Sequence, residues 1–307
     1  RQRQMCIRDS VITTYNIGFG AYNHDFSFFM DQGKMLSGEK VKGKLSKATS
    51  KEIVLTNTRG AIEEITAFNP DFAFFQEVDT NSTRSFQVNQ FKMLQESLAK
   101  MASVHVSNFH SAYLFYPILD PHGVVNSGIA TFSKYKIDKV IRKSLEITDA
   151  FPSKFFDLDR CFSASYLKTN HDNYLVIVNV HLSAYDKGGV YRKKQLQQLN
   201  SFLEVEYQKG NYVVCGGDFN HDIANSMYVF ETKQEKPEWV YGLNNDDLNE
   251  NFSFATNNNI PTCRSTDMPY EKNVNYTVVL DGFIVSKNVD VIMVENVDTN
   301  FEYSDHN

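Results

Sequence analysis

The chain has 307 residues, 42% of them hydrophobic, enough to build a core in one large domain or two ordinary ones. Acidic residues outnumber basic ones 37 to 31, a net charge of −6, which argues against a protein that grips polyanions everywhere but leaves room for a local basic groove. Aromatics are heavy at 13%, with 24 Phe and 16 Tyr, so low complexity and disorder do not describe the chain as a whole.

Residues 1–10, RQRQMCIRDS, fit neither a helix nor a strand pattern and resemble translated adapter sequence. They are read as a non-native leader, and residues 11–307 as a single domain. Val11–Asn16 is the first expected strand. A loop-like stretch follows, Gly33–Ser50, carrying Lys34, Lys40, Lys42, Lys44 and Lys47 against one acid, Glu39. A helix is predicted over Ala61–Phe68, closed by Asn69-Pro70, and then a strand over Asp71–Gln76. Phe91, Leu94, Leu98 and Met101 share one helical face. Strands are expected at Ile129–Phe132 and Tyr174–Leu182, and a helix where Leu196 and Leu199 line up with Phe202 or Leu203. Tyr212–Cys215 and Thr277–Val285 are the last strands. Between them residues 231–275 are rich in Asn, Asp, Lys and Pro and hold the sole Trp, Trp239.

These strands are often apolar on both faces and interleave with helices, without linker or repeat. That pattern predicts one α/β domain with two sheets and flanking helices. The two irregular stretches are candidate substrate loops. The chain stops at Ser304-Asp305-His306-Asn307 with no closing element, which reads as truncation at the C-terminus.

Several chemistries are disfavoured. Cys6, Cys161, Cys215 and Cys263 are widely spaced, so neither a disulfide scaffold nor a thiolate zinc site is expected. No apolar run approaches the roughly 18 residues of a membrane span. The Gly-x-Ser-x-Gly elbow of serine hydrolases is missing. Gly38–Lys44 has phosphate-loop spacing, but Leu45 stands where a hydroxyl must hold Mg²⁺, and no buried strand precedes it.

Small polar clusters follow the strongest strand signals: Asn16 in TYNIG, Glu77 in FFQEVD, Asn179 and His181 in NVHLSA, Asp218 and Asn220 in GGDFNHD, and Asp305-His306 in SDHN. Asp281 in LDGFIVS lies inside an apolar run, where a carboxylate is costly unless paired or bound to metal. Singly, each has an ordinary explanation as a cap, a turn or a core hydrogen bond. Jointly they point to one site, because strand ends are where a layered fold gathers residues distant in sequence. Carboxylates and an amide oxygen suit a hard cation such as Mg²⁺, and two histidines with a nearby acid suit proton transfer and charge stabilisation on a phosphoryl group.

These motifs, in order from Val11 to His306, resemble the endonuclease/exonuclease/phosphatase superfamily of deoxyribonucleases, apurinic endonucleases, neutral sphingomyelinases and inositol-phosphate phosphatases. Ser127-Gly128-Ile129-Ala130, Phe132-Ser133-Lys134 and Arg160 support the match. The resemblance implies a four-layer α/β sandwich, two mixed β-sheets packed face to face with helices outside, and a site at one rim. It implies that Glu77 binds metal with Asn16 beside it, and that Asp305 is a second metal ligand or orients a histidine. By the same resemblance His181, Asp218, Asn220, Asp281 and His306 are catalytic, Asp281 and His306 forming an acid–histidine pair. Asn179 and Arg160 would contact the substrate phosphate. The implied cofactor is Mg²⁺, with Mn²⁺ as an alternative. The expected substrate is a phosphate ester: a lipid head group, a small phosphoester or DNA. No obligate protein partner is evident and a monomer is expected. The rival reading is a Mg²⁺-dependent endonuclease whose Lys-rich stretch straddles DNA; a non-catalytic binding module on the same fold is the alternative of another class.

Overall fold

The structure, a computed structural model, describes residues 9–147, 159–184 and 190–307. Most of the expected leader, residues 1–8, lies outside the described residues. One sheet holds β1 (Ile12–Asn16), β4 (Phe72–Asp79), β6 (Gly123–Ser133) and β5 (Ala102–Leu114) in that spatial order. The other runs β11 (Phe252–Ala255), β14 (Asp281–Ser286), β10 (Tyr212–Asp218), β9 (Tyr174–His181), β8 (Cys161–Lys168) and β7 (Lys139–Ser144). β1 pairs with β4, and β9 with β10, in parallel; the remaining pairs are antiparallel, so both sheets are mixed. Two small ribbons flank them, β2 (Gln32–Lys34) with β3 (Lys40–Lys42), and β12 (Cys263–Arg264) with β13 (Thr277–Val278).

Side-chain alternation along the strands builds the layers. In β4, Phe72 and Phe74 pack between the sheets against Leu175 and Ile177 of β9 and Val214 of β10. Ala73 and Phe75 point the other way, onto Ala61, Ile62 and Ile65 of α1 (Lys51–Ala67) and Leu94 of α2 (Gln90–Ser97). Val176, Val178 and Val213 meet Leu196, Leu199 and Leu203 of α3 (Val190–Gln208) on the outer face of the second sheet. The order helix, sheet, sheet, helix is the expected four-layer sandwich.

Several boundaries differ from the sequence reading. α1 begins ten residues before Ala61, at Lys51, where the Ser50 hydroxyl accepts the Ile53 N–H at 3.2 Å as an N-cap. Thr56, Thr58 and Gly60 hid this half. The Thr58 hydroxyl bonds back to the Val54 carbonyl at 2.6 Å, and Gly60 leaves room for the Tyr303 ring, which an added Cβ would meet at 2.4 Å. β5 and β7 escaped the strand list, being half-exposed along much of their length, and β8, buried at every position but Lys168, because Ser163 and Ser165 break up its apolar residues. The expected strand Thr277–Val285 is two, β13 and β14, interrupted at Val279-Leu280, so Asp281 opens β14 rather than lying within a run. Gly33–Ser50 starts as the β2–β3 ribbon, and residues 231–275 contain β11 and β12. Cys161, Cys215 and Cys263 are buried free thiols. Among the described residues no helix is long and apolar enough to cross a membrane.

Gly217 marks where the second sheet is tightest. Its φ is +144°, and a Cβ there would stand 2.0 Å from the Val180 carbonyl oxygen of the neighbouring strand. Gly217→Ala is expected to cost about 3 kcal/mol or more, read as a lower denaturant midpoint at unchanged slope.

Candidate active site

The same alternation places the site. Ile12 of β1, Ile177 of β9, Val214 of β10 and Phe283 of β14 all face the gap between the sheets. Counting in twos from them reaches Asn16, His181, Asp218 and Asp281, which therefore emerge from that gap at one rim. Register aligns three of them directly: Asp218 stands opposite His181 of β9 and Asp281 of β14. β4 contributes Glu77 through a bulge between Phe75 and Val78, with Glu77 at φ +54°. Bulges commonly re-aim a side chain in this way. The C-terminal segment brings His306 and Asp305 to the rim. It is pinned by a bridge from His306 to Cys263, by Ser304 donating to the Asn16 carbonyl at 2.7 Å, and by Asn307 donating to the Pro261 carbonyl at 2.9 Å.

One oxygen is the focus. Asp218 Oδ2 accepts from Asn16 Nδ2 at 3.0 Å and lies 3.5 Å from His181 Nε2 and 3.6 Å from His306 Nε2. Its other oxygen accepts the Asn220 N–H at 2.8 Å. Asp281 Oδ2 and His306 Nδ1 form a buried pair at 2.7 Å. Burial pushes the Asp218 carboxyl well above the usual carboxylate range; His306 opposes this and the charge on Asp281 reinforces it. Burial alone would pull His306 down, but the carboxylates of Asp281 and Asp218 outweigh it and raise the ring well above the usual histidine range. His181 goes the other way: burial, then the positive charges of Arg160, His306 and Arg84, keep it neutral. Adjacent acid and base groups are thus driven in different directions, a common sign of a working site.

Two buried atoms here have no hydrogen-bond partner among the described residues, His181 Nδ1 and Asp281 Oδ1. Glu77 and Asp305 line the same cavity, and both carboxyls are raised, by burial first; Glu77 is raised further by the charge of Asp305. Two oxygen donors that disfavour their own ionisation fit a hard divalent cation. Asp218, Asp281 and His306 also offer ligand atoms within 4.8 Å of one another. In that group the 2.7 Å hydrogen bond to Asp281 occupies His306 Nδ1.

Not every expected contact is made. Asn16 sits beside Glu77, donating to Glu77 Oε1 at 3.4 Å, but its own oxygen accepts the Gly18 N–H at 3.0 Å. It braces the carboxylates, with one lone pair of its oxygen taken by that N–H. Asn179, expected to touch the substrate, lies one alternation deeper than His181 and is completely buried. Its amide donates to the Ala130 carbonyl at 2.9 Å and accepts from Gln76 at 2.8 Å, so it ties the two sheets together. Arg160 and Asn220 line the cavity, Asn220 also donating to the Leu182 carbonyl at 2.8 Å. Asp305 does not orient His306; Asp281 does.

The sequence reading missed Arg84, which lines the cavity, forks onto buried Asp79 at 2.9 and 3.0 Å, and lies 3.9 Å above the Phe19 ring. Asp79 ends an apolar strand, so the argument that demanded a partner for Asp281 could have flagged it. Arg264, His122 and Asn108 also line the cavity and carried no motif. From α3, Gln195 donates to the Ser183 hydroxyl at 2.7 Å and accepts the Ser183 N–H at 3.0 Å, which fixes the turn after His181.

A sequence model of the Endonuclease/Exonuclease/phosphatase family matches residues 13–306. The chain belongs to this family. An inositol phosphosphingolipids phospholipase C of Schizosaccharomyces pombe is 24% identical over 245 residues, which is 70% of this chain and 58% of that protein. The chain therefore spans less than two thirds of that relative. Among solved structures, an endonuclease/exonuclease/phosphatase from Beutenbergia cavernae superposes with a TM-score of 0.60 at 14% identity, over 97% of this chain and 69% of its own. TDP2 of D. rerio, complexed with a single-strand DNA product, gives 0.55 at 13% identity over 97% and 95%. At such identities these two are likenesses of fold.

Proposed function

We propose that the chain hydrolyses a phosphodiester by direct attack of water, releasing a phosphorylated head group from a lipid. The observation that carries the chemistry is the convergence of three side chains on Asp218 Oδ2, a buried carboxylate with raised proton affinity. In this reading Asp218 aligns the water and takes its proton as the oxygen–phosphorus bond forms. The ester bond to the leaving oxygen breaks, and His306, held as imidazolium by Asp281, supplies that oxygen with a proton. Neutral His181 and the Asn220 amide donate hydrogen bonds to the phosphoryl oxygens as charge builds there. Glu77 and Asp305, with Asn16 bracing, would hold a divalent cation, Mg²⁺ or Mn²⁺, which withdraws charge from the phosphate. The head-group assignment is supported by the phosphosphingolipid phospholipase relative.

The test offers inositol phosphosphingolipid and sphingomyelin in detergent micelles beside supercoiled plasmid. With Mg²⁺ present, head-group release is expected and the plasmid stays intact; EDTA reduces release to background and added Mg²⁺ restores it. Nicking of the plasmid with the lipids intact would overturn the lipid reading in favour of the nuclease.

A further inference from the structure

We infer that the tip of the β5–β6 connection, residues 113–119, is a finger that docks the cavity mouth onto an anionic lipid bilayer. This rests on the lipid reading above. Leu119, Ile118 and Phe115 are 99%, 86% and 77% exposed, and Tyr116 and Tyr113 are 56% and 44% exposed. So dense an apolar cluster on a surface asks for an apolar phase to cover it.

Topology directs the tip to the right place. β6 pairs antiparallel with β4, Ser127 opposite Asp79, so the start of β6 and the end of β5 rise at the rim that holds Glu77. Asn108, Phe109 and Ser127 line the cavity, and the hairpin continues past them to its last rung, Leu114 opposite Gly123. Its root is locked: His122 is buried between Arg84 and the Ser46 carbonyl, and Asp120 takes a 2.6 Å hydrogen bond from Ser46 and a 2.6 Å ion pair from Lys47. The finger is thus anchored below and bare above. The exposed Val291–Met293 patch differs, because it follows β14, which begins at this rim and leads away from it.

Charge favours a membrane as the occupant. The segment that anchors the finger through Ser46 and Lys47 also carries exposed Lys40, Lys42 and Lys44, a local basic flank on a chain of net charge −6. Apolar side chains with lysines on the adjoining segment match the interface of a bilayer with anionic lipid. A few side chains on a convex turn are also a poor match for the area of a stable protein interface.

The experiment sediments the chain with vesicles of phosphatidylcholine, with and without phosphatidylserine, and compares it with an Ile118→Ser/Leu119→Ser variant. Turnover of soluble bis-p-nitrophenyl phosphate and elution on size exclusion are measured in parallel. The chain is expected to sediment with phosphatidylserine vesicles and to be released by raised salt, and the variant to partition about tenfold less at unchanged soluble turnover. Equal sedimentation of both forms, or none by the wild type, overturns the inference. So does a dimer that the variant abolishes, since a second copy would then cover the tip. Head-group release from micelles reports on the lipid reading separately, because it needs no docking to a bilayer.

Discussion

Asp218→Asn is expected to lower kcat by about a thousandfold or more while the chain stays folded. The amide keeps the shape and can still accept the Asn220 N–H, which the carboxylate accepts at 2.8 Å. It cannot take a proton from water. Stability should move far less. Burial raises the Asp218 carboxyl in the folded chain, so the folded state holds that proton to higher pH than the unfolded chain does. Above the unfolded carboxylate range the ionised form therefore opposes folding, and this penalty is complete once pH exceeds the folded value. An amide removes it but turns an NH2 onto the Asn16 Nδ2 donor, which the carboxylate accepts at 3.0 Å, so Tm of the variant at about pH 8 should stay close to that of the wild type. Lost turnover with a retained Tm separates chemistry from misfolding. Near-wild-type turnover would move the proton acceptor away from Asp218.

The rim was legible because it is built from strand ends, and strand signals with a polar residue just after them can be read from period-two patterning. Asn16, His181 and Asp218 sit on the parity that faces the other sheet, which the apolar residues four positions earlier, Ile12, Ile177 and Val214, reveal. The same parity was enough to bury Asn179, but using it required knowing which face met which layer, and that is tertiary information. The bulge that aims Glu77 leaves no local trace, because its φ of +54° is imposed by β6 and not by a glycine. Asp79 and Arg84 are five residues apart, a spacing with no helical or strand meaning until the turn between them folds. The β5–β6 finger was invisible for a different reason. Nothing in the sequence sets Phe115, Tyr116, Ile118 and Leu119 apart from core residues, and only the fold shows them bare.

The last expectation concerns how the acid–histidine pair works. If Asp281 acts only through His306, then Asp281→Asn, His306→Asn and the double variant should each lose about a hundredfold to a thousandfold in kcat, and the double should be no worse than the worse single. The geometry favours this: the 2.7 Å contact to His306 Nδ1 turns Nε2 towards Asp218, 3.6 Å away, and Asp281 makes no side-chain hydrogen bond to Asp218, reaching it only through its charge. Asn in place of Asp281 can still accept from Nδ1 but no longer carries the charge that, with Asp218, outweighs burial and keeps the ring protonated. The loss in the single variant therefore measures that charge rather than a collapsed contact. Losses that multiply in the double variant would show two independent contributions. Asp281 would then have a second role, and its other oxygen, Oδ1, buried without a partner among the described residues, is the atom through which it would act. Equality of the double with the worse single would instead confine Asp281 to holding and charging the imidazole.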